Sequence, residues 1–189
     1  MAIVKLNDLF KDVSGSIGEL ELSRRRDKTV VRHKPEVRPL ATPARLANRE
    51  RFRTAALYGR TVQSTPALAA VYAPAARSRG VAPYHVALKD FLNPPEVTDI
   101  DLRTLPTPAA GPIRVSAIDD FQVVQVWLSL RTTEDQMIEE GAATLDLESG
   151  QWLYHLQTEI VRGQTVVVTA TATDRPGHHG SSSVFCWIP

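Results

Sequence analysis

Hydrophobic residues recur along this chain at two different spacings, helical between Pro43 and Leu92 and alternating from Ile113 onward, so the sequence predicts a helical segment followed by a β segment. Ahead of both, residues 14–38 read SGSIGELELSRRRDKTVVRHKPEVR. Ile17, Leu20 and Leu22, then Thr29, Val30 and Val31, suggest two strands, with Arg24 to Lys28 as the turn between them. Leu20 and Leu22 alternate with Glu19 and Glu21, and a β-hairpin with a positively charged tip is the simplest reading. A lone hairpin is marginally stable and requires a surface to pair with, in this chain or in a neighbour.

Pro35, Pro39 and Pro43 bias the residues before them to extended backbone, which predicts a connector after the hairpin. Thr42-Pro43 then signals a helix start, with a hydroxyl at the N-cap and a proline at the first helical position, where no hydrogen bond is lost. This helix is expected to run from Pro43 to about Val62. Around its axis Arg45, Arg49, Arg53 and Arg60 share one sector, opposite Ala44, Ala47, Ala55, Tyr58 and Val62. Arg51 interrupts the apolar side, and Phe52 sits among the arginines.

Ser64 or Thr65 is expected to cap a second helix that begins at Pro66, uses Leu68, Val71 and Tyr72 as anchors, and ends near Arg79-Gly80. A third, Ala82 to Leu92, opens with Pro83 and places Tyr84, Leu88, Phe91 and Leu92 on one face. Asn93-Pro94-Pro95 closes the helical unit, and residues 96–111 read as a linker or extended arm.

Beyond the linker the predicted strands are Ile113 to Ile118, Phe121 to Leu130, Gln136 to Ile138, Ala142 to Asp146, Trp152 to Leu156, Gln164 to Thr173 and Ser183 to Trp187. Turn signals separate them at Asp119-Asp120, Glu139-Glu140-Gly141, Ser149-Gly150, Arg162-Gly163 and Pro176-Gly177. Val124, Val126, Leu128 and Leu130 form one apolar face, as do Val166, Val168, Ala170 and Ala172. Short strands at this spacing predict an antiparallel sandwich, and the fold class is α+β. The expected organisation is an arm and hairpin over residues 1–40, a helical unit over 41–95, the linker, and a β-sandwich over 112–189.

Charge sharpens this division. Residues 1–95 carry 17 Lys/Arg against 8 Asp/Glu, while residues 96–189 carry 5 against 13, so a formal net of +1 conceals strongly opposed halves. Such asymmetry points to an anionic partner for the basic half or to head-to-tail contact between copies. Twelve of the 17 cations are arginine, whose planar fork suits specific pairing with carboxylates. The single cysteine, Cys186, cannot form an internal disulfide, which fits a reducing compartment or a protein that leaves it by a route other than the general secretory one. Neither a signal-peptide pattern nor an apolar run of membrane-spanning length is visible. A protein made in the cytoplasm is expected, with release as part of an extracellular assembly left open.

The C-terminal half resembles bacterial immunoglobulin-like domains. The residues that carry the likeness are Ile113-Arg114-Val115, Phe121 to Val126, Gly141-Ala142-Ala143, Trp152-Leu153-Tyr154 and Thr169 to Gly177, the last ending in an Asp-x-x-Gly turn at Asp174. The resemblance implies an Ig-like sandwich and is nearly silent on function. The N-terminal half is similar to uncharacterised bacterial proteins with a Gly-x-Ile-Gly strand, a Thr-Val-Val-Arg strand and an Arg-x-Arg-Phe helix, here Gly15 to Gly18, Thr29 to Arg32 and Arg49 to Phe52.

Chemistry-bearing residues are sparse. His178-His179 beside Asp174 holds metal-ligand atoms, but adjacent histidines in a turn diverge, and an exposed loop is the plainer reading. Asp119-Asp120 and Glu139-Glu140 read as solvated turns rather than converging catalytic carboxyls. Asp119-Asp120 with Asp174 at one sandwich end would offer hard oxygen ligands to calcium. Ser181-Ser182-Ser183 lacks a nucleophile elbow, no phosphate-binding glycine loop occurs, and His33, His85 and His155 are isolated. No catalytic residue, cofactor or resident metal is expected.

What stands out is the basic set: Arg24, Arg25, Arg26, Lys28, Arg32 and Lys34 on the hairpin, and Arg45, Arg49, Arg53 and Arg60 on the first helix. The favoured expectation is a non-enzymatic structural protein that self-associates into a filament, sheath, tail or shell, its basic arm meeting the acidic sandwich of a neighbour. A nucleic-acid-binding protein gripping a backbone through the same residues is the alternative. A carbohydrate-binding or adhesion module is a third reading. It needs an exposed aromatic platform, for which Trp127 is the candidate, Trp152 and Trp187 being expected in the core with Tyr154 and Phe185.

Overall fold

The computed structural model describes residues 2–3, 14–25, 28–34, 42–105 and 111–189. The chain divides into two compact units, Met1–Leu46 and Ala47–Pro189. The first holds a four-stranded antiparallel sheet of β1 (Ala2–Ile3), β2 (Gly15–Ile17), β3 (Leu20–Arg25) and β4 (Lys28–His33), in the order β1-β4-β3-β2.

The predicted hairpin is its centre: β3 pairs with β4 from Leu20↔His33 to Arg25↔Lys28. Residues 26 and 27, the middle of the expected basic tip, lie outside the described residues. The expected first strand is broken, because Gly18 adopts φ 56° and turns β2 back on β3 with Ile17 opposite Leu20. The surface that the hairpin needs is thus supplied by this chain, with β2 on one side and β1, at Ala2↔Val31, on the other. Leu22 and Val30 are buried, while Ile17 stays 62% exposed.

The three helices follow the proline signals. They are α1 (Pro43–Ser64), α2 (Pro66–Arg79) and α3 (Pro83–Leu92). Thr42 caps α1, its hydroxyl oxygen accepting the Arg45 N–H at 3.3 Å. Thr65 occupies the N-cap of α2 without a side-chain bond, and there the backbone carbonyl accepts the Ala69 N–H instead. Gly80 ends α2 in the left-handed region at φ 63°, its N–H returning to the last turn.

Burial differs from the expected faces. In α1 only Ala55, Gly59 and Val62 are buried, and residues 43–54 are exposed throughout. In α3 the buried set is Val86, Ala87 and Asp90, with Tyr84, Leu88, Phe91 and Leu92 half-buried around it. Val62, Tyr72, Ala76, Val86 and Ala87 make a small core on which Tyr58, Leu68 and Phe121 pack.

The rest of this unit is a sandwich of two antiparallel four-stranded sheets. One contains β5 (Glu96–Asp101), β6 (Ile113–Ile118), β10 (Trp152–Tyr154) and β9 (Thr144–Leu145), in that order. The other contains β12 (His179–Ile188), β11 (Gln164–Asp174), β7 (Val123–Thr132) and β8 (Met137–Ala142). Alternation on β7 and β11 predicts their inner faces: Val126, Leu128, Leu130, Val166, Val168, Ala170 and Ala172 are fully buried. Val124, placed on the same face, is 39% exposed at the strand's beginning.

The linker reading of residues 96–111 is corrected at its start, because Glu96–Asp101 is an edge strand paired antiparallel to β6. A bulge between Val97 and Asp99 breaks its period of two, placing buried Val97 and Ile100 three residues apart and hiding the strand from an alternation test. Residues 106–110 lie outside the described residues. The compact unit Ala47–Pro189 holds most of α1, all of α2 and α3, and the sandwich. Among the described residues no helix is long and apolar enough to cross a membrane.

Candidate functional site

Three carboxylates from distant parts of the sequence converge where the helices meet the sandwich. Asp90 comes from α3, Asp119 from the turn between β6 and β7, and Asp174 from the last position of β11. One oxygen from each lies within 4.8 Å of the others. Asp90 is fully buried and Asp174 is 1% exposed, while Asp119 is half-buried.

Local chain geometry fixes two of them. Asp119 turns the chain between strands, its Oδ2 accepting the Phe121 N–H at 3.0 Å and the Gln122 N–H at 2.9 Å. Asp174 Oδ1 accepts the Gly177 N–H at 2.8 Å and the His178 N–H at 2.6 Å, and Oδ2 faces His178 Nδ1 at 3.1 Å. Gly177, at φ 94°, supplies the left-handed residue that this Asp-x-x-Gly turn requires. Asp90 is held differently, by the Tyr72 hydroxyl donating to its Oδ2, and Tyr72 in turn lies 2.9 Å from the Tyr58 hydroxyl.

Aromatic rings wall the cluster. Tyr72 packs on Phe121 at a centroid distance of 4.4 Å, and Phe91 meets His178 edge-on at 4.6 Å. Burial pushes the Asp90 carboxyl up to about 7 against the opposing hydrogen bond from Tyr72, and the neighbouring charges of Asp119 and Asp174 add to the rise. Burial and the hydrogen bond to Asp90 also hold the Tyr72 hydroxyl well above its ordinary range. Asp90 Oδ1 and Asp119 Oδ1 are buried without a hydrogen-bond partner, as is Arg175 Nε.

The solvated-turn reading of Asp119-Asp120 is therefore corrected. Asp119 faces the cluster, and Asp120 makes a 2.5 Å ion pair with Lys89 and accepts from the Asn93 amide. Burial alone would raise Asp120, but these two hydrogen bonds dominate and lower it. Glu139 is not a free turn residue either: it accepts from the Tyr154 hydroxyl at 2.6 Å and from the Gln157 and Thr158 N–H groups at 2.9 and 2.7 Å. His178 and His179 diverge as expected, one toward Asp174 and the other toward Thr173. His33, His85 and His155 are exposed.

Sequence pairing at one sandwich end brought Asp119 and Asp174 together. It missed Asp90, which lies away from the helix face that Tyr84, Leu88, Phe91 and Leu92 mark and so carries no periodicity signal for burial.

The basic residues lie on the hairpin and on α1. Arg24 is exposed, and the side chains of Arg25, Arg26 and Lys28 lie outside the described residues. Arg32 pairs with Glu21 at 2.8 Å, and Lys34 donates to the Gly18 carbonyl at 3.2 Å. On α1, Arg45, Arg49, Arg53 and Arg60 are all exposed, with Arg53 paired to Glu50 at 2.7 Å and Arg60 donating to the Ala56 carbonyl. Leu46 and Leu57 border this stripe on one side and Phe52 on the other, each more than half exposed. Arg51 is set apart, its guanidinium donating to the Leu92 carbonyl at the end of α3.

The aromatic expectation is corrected as well. Trp152 and Tyr154 are in the core, but Trp187 is 61% and Phe185 70% exposed, both more than Trp127 at 40%. Opposite Thr165 and Val167 of β11, they point outward from the strand that ends its sheet. No protein-family model and no curated protein matches this chain.

Proposed function

We propose that this protein is a non-enzymatic structural subunit that associates with copies of itself, the basic N-terminal half of one copy meeting the acidic Ig-like sandwich of the next. The observation that carries the reading is strand β12. It ends its sheet, no other strand among the described residues is hydrogen-bonded to its outer side, and it turns Phe185 and Trp187 to solvent. Long apolar edge strands are normally shortened, charged or covered because they template pairing with another chain. Opposed charge in the two halves supplies the second element, since 17 cations lie in residues 1–95 and 13 acids in residues 96–189.

Sedimentation velocity at micromolar concentration across a salt series, beside negative-stain microscopy, tests this. Association that weakens with salt supports the reading, and a monodisperse monomer at physiological salt rejects it.

A second reading rests on the exposed Arg45, Arg49, Arg53 and Arg60 stripe with Phe52 at its border, which suits a nucleic-acid backbone. It predicts that the full chain binds duplex or single-stranded DNA with an affinity that falls steeply with salt. Absence of binding at low salt removes it.

A further inference from the structure

We propose that Asp90, Asp119 and Asp174 form a binding site for a hard divalent cation, calcium fitting best, that ties helix α3 to two turns of the sandwich. The three carboxylates come from separate segments, yet an oxygen of each lies within 4.8 Å of the others. Convergence of acids is insufficient by itself. The second observation is Asp90: a fully buried carboxylate whose Oδ1 has no donor, facing a half-buried partner, Asp119, whose Oδ1 has none either.

Asp90 and Asp119 each keep one oxygen without a partner. Asp119 spends Oδ2 on two backbone N–H groups, and Asp90 spends Oδ2 on the Tyr72 hydroxyl. Asp174 directs Oδ1 to two backbone N–H groups and Oδ2 to His178. Backbone donors fix the carboxyls of Asp119 and Asp174 in place, and three acidic side chains brought this close, two of them buried, call for a counter-charge. Among the described residues His178 is the only side chain in an ion pair with them. Arg175 stands nearby, but its Nη2 goes to the Gln122 side-chain oxygen at 3.3 Å and its Nε is unpartnered.

The chemistry of the donor set selects the ion. All three ligands are carboxylate oxygens with no thiolate among them, which disfavours zinc and copper and suits calcium or magnesium. Calcium is favoured because it accepts irregular oxygen geometry and fills its remaining positions with water, whereas magnesium demands a near-ideal octahedron. A bound ion would supply counter-charge to the three carboxyls, and would fix α3, the β6–β7 turn and the β11–β12 turn as one body.

The intact chain, stripped with chelator, tests this by terbium luminescence excited through tyrosine, Tyr72 being hydrogen-bonded to a ligand. Saturable luminescence displaced by calcium and more weakly by magnesium is expected, with a calcium-dependent rise in melting temperature reversed by EDTA. Asp119→Asn and Asp90→Asn should each weaken binding at least tenfold, while Asp120→Asn should leave it unchanged. Asp119 is only half-buried, and its variant keeps the test valid if Asp90→Asn does not fold. Absence of saturable binding at millimolar calcium overturns the proposal, as does binding equal in wild type and Asp119→Asn. A metal-free Asp90→Asn protein that melts higher than wild type, with no calcium effect on either, would mark a proton-sharing acid pair instead.

Discussion

Gly180 of β12 lies so close to the carbonyl oxygen of Pro95 that a Cβ on it would overlap that oxygen. The obstacle is backbone, which cannot rotate away as a side chain would. Pro95 is itself buried and leads directly into β5, so this approach joins the first and last strands of the sandwich. Gly180→Ala is expected to destabilise the fold by about 1–3 kcal/mol, as overpacking in a close-fitted interior does. Urea denaturation of wild type and variant checks it, and an unchanged midpoint would mean the two strands can part without cost.

Neighbouring residues at the end of β12 should respond oppositely. Ile188 is fully buried, and Ile188→Ala is expected to cost about 2–5 kcal/mol through lost burial and a residual cavity. Trp187 is 61% exposed, and Trp187→Ser should change stability by no more than about 0.5 kcal/mol. Thermal melts of the two variants distinguish this arrangement from one in which Trp187 belongs to the core.

Glu139 predicts a pH dependence. Burial works to raise its carboxyl, but hydrogen bonds from the Tyr154 hydroxyl and from the Gln157 and Thr158 backbone outweigh this and hold it below its ordinary 4.5. Around the ordinary value the unfolded chain then binds more protons than the folded one, and the stabilisation from Glu139 is present above pH 4.5 and lost as pH falls through the lowered folded value. Glu139→Gln should cost about 1–2 kcal/mol at neutral pH, the low side for a charged acceptor because the group is half-exposed. The difference from wild type should vanish in acid, which denaturation midpoints from pH 7 to pH 3 would record.

Self-association makes its own mutational prediction. Phe185→Ser with Trp187→Ser should shift the sedimentation profile toward monomer without lowering the melting temperature, both side chains being mostly exposed. An association profile identical to wild type would move the contact away from β12.

Much of the local architecture follows from short-range chemistry. Pro43, Pro66 and Pro83 each open a helix, because proline fixes φ and the first helical N–H is unneeded there. Val126, Leu128 and Leu130, like Val166, Val168, Ala170 and Ala172, declare an inner face by alternating with mostly polar neighbours. These decisions involve residues within a turn or a pleat of one another.

Other features required the whole fold. The last strand has apolar residues at both parities, Val184, Cys186 and Ile188 against Phe185 and Trp187, and alternation alone cannot choose between them. Pairing with β11 made the choice by setting Cys186 opposite buried Val166 and Phe185 opposite outward Val167. The bulge in β5 concealed a strand for a related reason, since one extra residue erases the period that betrays it.

The carboxylate cluster is the strongest case. Asp119 and Asp174 announce themselves as turn residues, and their chain ends were foreseeable neighbours. Asp90 joins them only because α3 docks with Val86, Ala87 and Asp90 inward, a burial that helical periodicity had assigned to Tyr84, Leu88, Phe91 and Leu92. The sequence by itself determined where helices and strands begin and how charge is divided between the halves, because those depend on neighbours along the chain. Tertiary packing alone decided that Asp90 joins the other two acids and which aromatics face water, because those depend on distances between segments that no local pattern encodes.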